Sequence, residues 1–422
     1  MARVTAIQHA AILAVGSELL TPSRIDTNSL LITEQLNLLG IEVAYKSVIG
    51  DDREELAAAL RAALDRVELV VCCGGLGPTD DDVTREVVAQ VLRRPLAEDE
   101  RITARIRERF TSRQMEMPAI NRRQAMVPAG ARVLSNVHGT APGIWLEEAG
   151  RAVLLLPGPP QELKALLTTA SDEILKPRSP GLSLVRRIIR ITGRTESHTE
   201  EAVQPLYAEW AKAEVPVRAT ILASLGQIEL HLSVRATSRD RGEAAVEAAS
   251  RQVADVLGFD AYSRDGRALE QVVGDLLVEH RFRIAVAESC TGGLLTSRLT
   301  DVAGSSRYVN RAVVAYANEA KVSLFGVPGD LIEAHGAVSE PVALAMAEGI
   351  RASAMVEVGV GVTGVAGPGG GSPEKPVGTV AVAVVLPGAT RSRLFRFPGD
   401  REQVKFQASQ AALDMLRRLL LP

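Results

Sequence analysis

AAILAVG at residues 10–16 and LVVCCGGLG at 69–77 decide the fold of the first part of this 422-residue chain. Each is an unbroken apolar run of strand length that ends in glycine, the pattern of a strand buried on both faces of a parallel sheet. Between them, residues 27–39 of TNSLLITEQLNLLG read as a helix, with Gly40 just past its end. IEVAYKSVIG (41–50) reads as a second strand, and DDREELAAALRAALDR (51–66) as an amphipathic helix headed by aspartate. DDVTREVVAQVLRR (81–94) continues as a helix, the charged stretch 98–125 as a solvated helix pair, AVLLLPGPP (152–160) as a strand and 161–175 as a helix. Strand–helix units of this length imply a parallel sheet with helices on its faces.

The pattern changes after KPRSPG (176–181), a proline-rich linker. Residues 184–258 combine three strand-like runs with helices near 196–213 and 241–257, a small α+β unit without a catalytic-looking cluster. From about residue 264 a third unit begins: strands RIAVAES (283–289), VNRAVVAYAN (309–318), VEVGVGVTG (356–364) and VGTVAVAVVLP (377–387), with a long closing helix from residue 400. The expected class is α/β: an N-terminal parallel-sheet domain over 1–175, a small α+β middle module over 180–260, and a C-terminal α/β domain over 264–422.

Composition narrows the function. Net charge is −3, which argues against direct nucleic-acid binding, since that affinity rests on clustered Lys and Arg. The three cysteines, Cys72, Cys73 and Cys290, lack metal-ligand spacing and read as reduced thiols. No uncharged apolar run reaches membrane-spanning length, and the N-terminus lacks a signal-peptide cleavage pattern; the expected location is the cytoplasm, with no membrane partner.

Three hydroxyl- or glycine-rich turns flank strands of the last unit: AESCTGG (287–293), VAGSSRYVNRAVVAYANEAK (302–321) and GVTGVAGPGGGSPEKPVGTV (361–380). None of the six histidines lies in them, so a Ser-His-Asp triad lacks its base. Lysine can replace histidine, because desolvation removes much of its preference for the charged form. Lys321 is the candidate base, with Ser305 or Ser306 as hydroxyl nucleophile; Cys290 reads as a small buried hydrophobe.

These strings, with Tyr316, Asn318 and Lys321 spaced as YxNxxK, resemble the nicotinamide mononucleotide deamidase domain of the CinA family over about residues 264–420. The resemblance implies an amidohydrolase that converts nicotinamide mononucleotide to nicotinate mononucleotide and ammonia, without a cofactor. It implies Ser306 as nucleophile, Lys321 as base and Tyr316 as the residue orienting them, with Ser289 and Thr363 close to the carboxamide. Thr363 and backbone amides would stabilise the oxyanion. Arg401, Asn318 and the glycines Gly292, Gly293, Gly367, Gly369 and Gly370 would hold the nucleotide.

At the other end, GSELLTPSRIDTNS (16–29), CCGGLGPTDDDVTRE (72–86) and LPGPPQE (156–162) place a glycine turn after a strand and three aspartates behind it. Carboxylates repel bare phosphate, so a hard divalent cation such as Mg²⁺ between them is the natural inference. The strings resemble the molybdopterin-binding fold of the MoaB and MogA type found at the N-terminus of CinA proteins. That resemblance implies metal-dependent hydrolysis of ADP-ribose, with Asp26, Asn28, Gly74, Gly75 and Gly77 as binding residues, Asp81 and Asp82 at the metal, and a homodimer. Pro22 departs from the family's LLxG pattern, so the loop around it must differ locally. The rival expectation is a silent nucleotide-binding protein, or a competence or DNA-damage partner.

Overall fold

The structure, a computed structural model, describes residues 6–421, which fall into two compact units. One comprises the described residues up to Val185 together with Val234–Glu243, the other Arg186–Ser233 together with the chain from Ala244 onward.

The first unit is built on a six-stranded sheet. In chain order its elements are β1 (His9–Val15), α1 (Asn28–Leu38), β2 (Glu42–Ile49), α2 (Arg53–Leu64), β3 (Leu69–Cys73), α3 (Thr84–Val91), β4 (Leu96–Glu98), α4 (Glu100–Thr111), β5 (Met126–Pro128), β6 (Arg132–Leu134), β7 (Gly143–Glu148), β8 (Arg151–Leu156) and α5 (Pro160–Ala170). The sheet order is β2-β1-β3-β8-β7-β6; the first four strands are mutually parallel and the last two antiparallel. β1 and β3 are central and almost wholly buried, as their apolar runs require. Asp52 caps α2 through the amides of Glu54 and Glu55, as expected of the helix that begins at the aspartate pair. The charged stretch 98–125 is not a helix pair. Only α4 forms; the second half makes a 3-10 turn (Ala119–Ala125) that feeds β5, which pairs with β4.

The small α+β segment forms a second sheet: β9 (Ser183–Ile191), α6 (Glu196–Lys212), β10 (Val217–Ser224), β11 (Gln227–Ala236), α7 (Arg239–Leu257) and β12 (Ala261–Ser263), in the order β10-β11-β9-β12.

The last part contains α8 (Leu269–His280), β13 (Ile284–Glu288), α9 (Leu294–Thr300), β14 (Val309–Val314), α10 (Asn318–Phe325), α11 (Gly329–His335), α12 (Glu340–Ala354), β15 (Val358–Gly364), β16 (Thr379–Leu386), β17 (Ala389–Arg396) and α13 (Arg401–Leu420). Sheet order is β14-β13-β15-β16-β17, the first three parallel and the last two antiparallel. Two glycines explain how α12 lies so close to β15. A Cβ at Gly359 or Gly361 would fall 2.2 Å from the carbonyl oxygens of Ala347 and Ala343, so helix backbone rests directly on strand backbone. The parallel strands β13, β14 and β15 place their carboxyl ends on one edge of the sheet. β16 starts there and β17 ends there, because Thr379 pairs with Arg396.

Candidate active site

That edge gathers most of the predicted residues. β13 delivers Ser289 and the Cys290–Gly293 turn. β14 delivers Tyr316, Asn318 and Lys321; β15 delivers Thr363 and the loop 365–378; β17 leads to Arg401. Crevices of open α/β sheets lie at such carboxyl ends.

Lys321 is only 2% exposed, and its Nζ donates to the Tyr316 carbonyl at 3.1 Å. Burial lowers its pKa, against the opposing pull of Cys290 and Glu319. The influence is mutual: Lys321 acts on the Cys290 thiol, which burial pushes up to about 12. Cys290 thus stays a protonated thiol, a poor nucleophile.

Ser306 is elsewhere. It is exposed in the one-turn helix Ser305–Arg307 that precedes β14, while Lys321 follows β14. Six strand residues at ~3.3 Å each separate the two ends by about 20 Å. Within one chain Ser306 and Ser305 therefore lie at the end of β14 opposite to Lys321. A serine hydroxyl that shares Lys321's edge is that of Ser289, 7% exposed, whose amide donates to the Val362 carbonyl at 2.9 Å.

Thr363 is also used differently. Its hydroxyl donates to the Ala337 carbonyl at 2.9 Å, so its one proton is not available to an oxyanion. The amides of Gly292 and Gly293, expected to face phosphate, donate to Ser289 O (3.1 Å) and Glu288 Oε2 (3.0 Å). Arg401 braces the edge: it donates to the Gly367 carbonyl and to the Tyr316 hydroxyl, each at 2.6 Å. Tyr316 thereby accepts a bond while keeping its own proton to donate. Asn318, Gly369 and Gly370 are exposed on the same edge.

Two residues were missed from sequence. Glu288, wholly buried, accepts from the amides of Gly293, Leu295 (3.2 Å) and Thr296 (2.9 Å) and from the Thr296 hydroxyl, holding the Ser289 turn against the start of α9. The signal was an acid closing an otherwise apolar strand. Lys405 lies one helical turn after Arg401, a spacing that puts both on one face of α13.

In the first unit the predicted residues line a cleft of about 670 Å³ at the carboxyl ends of β1 and β3. Six carboxylates (Glu18, Asp26, Asp51, Asp81, Asp82, Glu162) face it against one arginine, Arg24. Asp26 accepts from the Ser29 amide at 3.0 Å, and Asn28 donates to the Gly158 carbonyl at 2.7 Å. The Oδ1 atom of Asn28 is buried without a partner. Gly74 donates its amide to Leu156 O at 3.0 Å, Gly75 accepts from the Thr84 amide, and Gly77 donates to Asp82 Oδ1 at 2.7 Å. Asp82 also accepts from the Thr79 amide at 2.9 Å, so it locks the loop from within. Asp81 is exposed, and both aspartates precede α3 rather than start it. Among the described residues no three ligating side chains converge on one point. The cleft fits a divalent ion only as a bridge between one or two carboxylates and a phosphate.

No described helix is long and apolar enough to cross a membrane. The family described as "CinA C-terminal domain" matches residues 266–420, and that described as "Probable molybdopterin binding domain" matches 11–177. A CinA-like protein of Koribacter versatilis is 45% identical over 98% of this chain and all of its own length. A second CinA-like protein, of Acidobacterium capsulatum, is 43% identical with the same coverage. A crystal structure of CinA from Thermoplasma acidophilum, described there as of unknown function, is 35% identical, covers 40% of this chain and 98% of its own, and superposes with a TM-score of 0.38.

Proposed function

The chain belongs to the CinA family, and we propose that its C-terminal edge hydrolyses the carboxamide of nicotinamide mononucleotide with Ser289 as nucleophile and Lys321 as base. The observation that carries this reading is the buried, pKa-lowered amine of Lys321 on the same sheet edge as the Ser289 hydroxyl. Ser289 Oγ attacks the carboxamide carbon while its proton passes to Lys321 Nζ. The carbon–nitrogen bond then breaks, and Lys321 returns the proton to the departing ammonia. Water, deprotonated by the same amine, opens the acyl-enzyme to nicotinate mononucleotide. Arg401 fixes the Tyr316 ring, whose remaining proton is free for the substrate.

Ammonia release from nicotinamide mononucleotide tests the assignment. Ser289→Ala abolishes it and Ser306→Ala retains it; the reverse pattern refutes the dyad. A chain that releases no ammonia while binding the nucleotide supports the rival, a partner protein without catalysis.

A second activity is proposed for the acidic cleft of the first unit: metal-dependent hydrolysis of ADP-ribose to AMP and ribose 5-phosphate. Asp81 and Asp82 would hold the ion, which supplies charge neutralisation for the phosphates. Asp26 and Asn28 would position the nucleotide, with the unpartnered Asn28 Oδ1 as an acceptor for it. AMP formation that persists in EDTA argues against this assignment. A cytoplasmic homodimer completes the proposal.

A further inference from the structure

Beside the Ser289 turn, few donors are left for a phosphate. The Gly292 and Gly293 amides are already bonded, and two nitrogens of Arg401 hold Gly367 and Tyr316. One cation nearby is uncommitted. Lys405 is half-buried, has no hydrogen bond or ion pair among the described residues, and its Nζ lies 3.6 Å from where a Cβ on Gly292 would sit. The turn closed by the Gly292 amide on Ser289 O keeps Gly292 within about 7 Å of Ser289, Cα to Cα. Lys405 and Arg401 together line a solvent-open cavity of about 790 Å³, with Leu294 and Phe406 as its apolar walls. Of the two acids on that wall, Asp400 is turned into its helix cap, accepting from the Gln403 amide at 2.9 Å. Glu402 is exposed and weakens the attraction for an anion.

We infer that Lys405 binds the substrate's phosphate and so selects a mononucleotide over the corresponding nucleoside. The inference rests on the deamidase reading above. A half-buried ammonium with no partner among the described residues has its charge available at little reorganisation cost, and it sits beside the Gly292 turn that follows Ser289.

The test compares nicotinamide mononucleotide with nicotinamide riboside, in turnover by ammonia release and in binding by calorimetry. Lys405→Met raises KM and Kd for the mononucleotide roughly tenfold or more, the worth of one hydrogen bond to a charged group. It leaves kcat and the riboside constants within about twofold, since the riboside carries no phosphate for this lysine. Lys405→Arg restores mononucleotide affinity, and Glu402→Gln tightens it. Equal losses for both substrates would mean a packing role and overturn the inference, as would an unchanged mononucleotide constant. If the wild type binds the mononucleotide without releasing ammonia, the deamidase reading fails, while the calorimetric comparison still decides the role of Lys405.

Discussion

Replacing Glu288 with glutamine removes one acceptor oxygen from a carboxylate whose two oxygens each receive two donors. Glutamine keeps its oxygen toward the Gly293 and Leu295 amides and turns its NH₂ group toward Thr296, whose hydroxyl can rotate to accept; the Thr296 amide is left unpaired at roughly 1–3 kcal/mol. Relief of a buried anion opposes this loss, but that anion sits at the positive end of α9, where the helix dipole already returns about 0.3–1 kcal/mol. The orphaned donor wins, and the net destabilisation is about 1–3 kcal/mol. For a unit of this size 1 kcal/mol moves the melting midpoint by about 2–4 °C, so calorimetry of Glu288→Gln should show a fall on the order of 2–12 °C. Because the same carboxylate holds the turn behind Ser289, kcat for ammonia release should fall with it. A midpoint shift of about 1 °C or less at unchanged kcat would refute the strut, since an orphaned buried amide cannot cost so little.

The remaining predictions are simpler. Burial holds the Lys321 pKa below the ordinary lysine value, so kcat/KM should rise with pH to a plateau whose midpoint lies below about 10.4, and Lys321→Met should abolish the limb. In stability the sign is the same: between the lowered folded pKa and the ordinary one the unfolded chain holds more protons, so folding gains as pH rises through that window, visible as a narrowing gap to Lys321→Met in urea titrations. Gly361→Ala drives a Cβ into the Ala343 carbonyl and should cost about 1–3 kcal/mol in the same titrations; an unchanged midpoint would mean that α12 shifts freely. Arg401→Leu frees Tyr316 and loop 365–378 together and should lower kcat more than it raises KM, which steady-state kinetics resolves.

Much of the fold was readable because buried parallel strands leave a distinctive trace. β1, β3, β13 and β15 are short apolar runs closed by a glycine or an acid at the turn, and their length with those flanking residues marks them as strands. β17 was not readable: as an edge strand with one face outward it reads ATRSRLFR, with three arginines in eight residues, and only its antiparallel pairing with β16 defines it. α12 was overlooked although its buried face, Val342, Ala343, Met346, Ala347 and Ile350, has helical spacing; its small residues mute the apolar signal. The helix pair expected at 98–125 failed for another reason, because charge alone says that a segment is solvated and not that it is regular.

The site divides along a line that chain direction already drew. In a parallel sheet a residue that follows a strand reaches the carboxyl edge, and one that precedes it reaches the opposite edge. Ser289 follows β13 and Lys321 follows β14, whereas Ser306 precedes β14. The run VNRAVVAYAN marks that strand in the sequence, with Ser306 before it and Lys321 after it. The hydrogen-bond commitments were not accessible in that way. That Thr363 gives its proton to Ala337, or that Glu288 absorbs the amides of the glycine turn, depends on which partner stands opposite once α9 and the 335–337 segment have packed. Chain direction therefore tells which residues share an edge, while packing decides which donors there are already spent. Lys405 matters for the second reason: it is a cation at that edge which packing left without a partner.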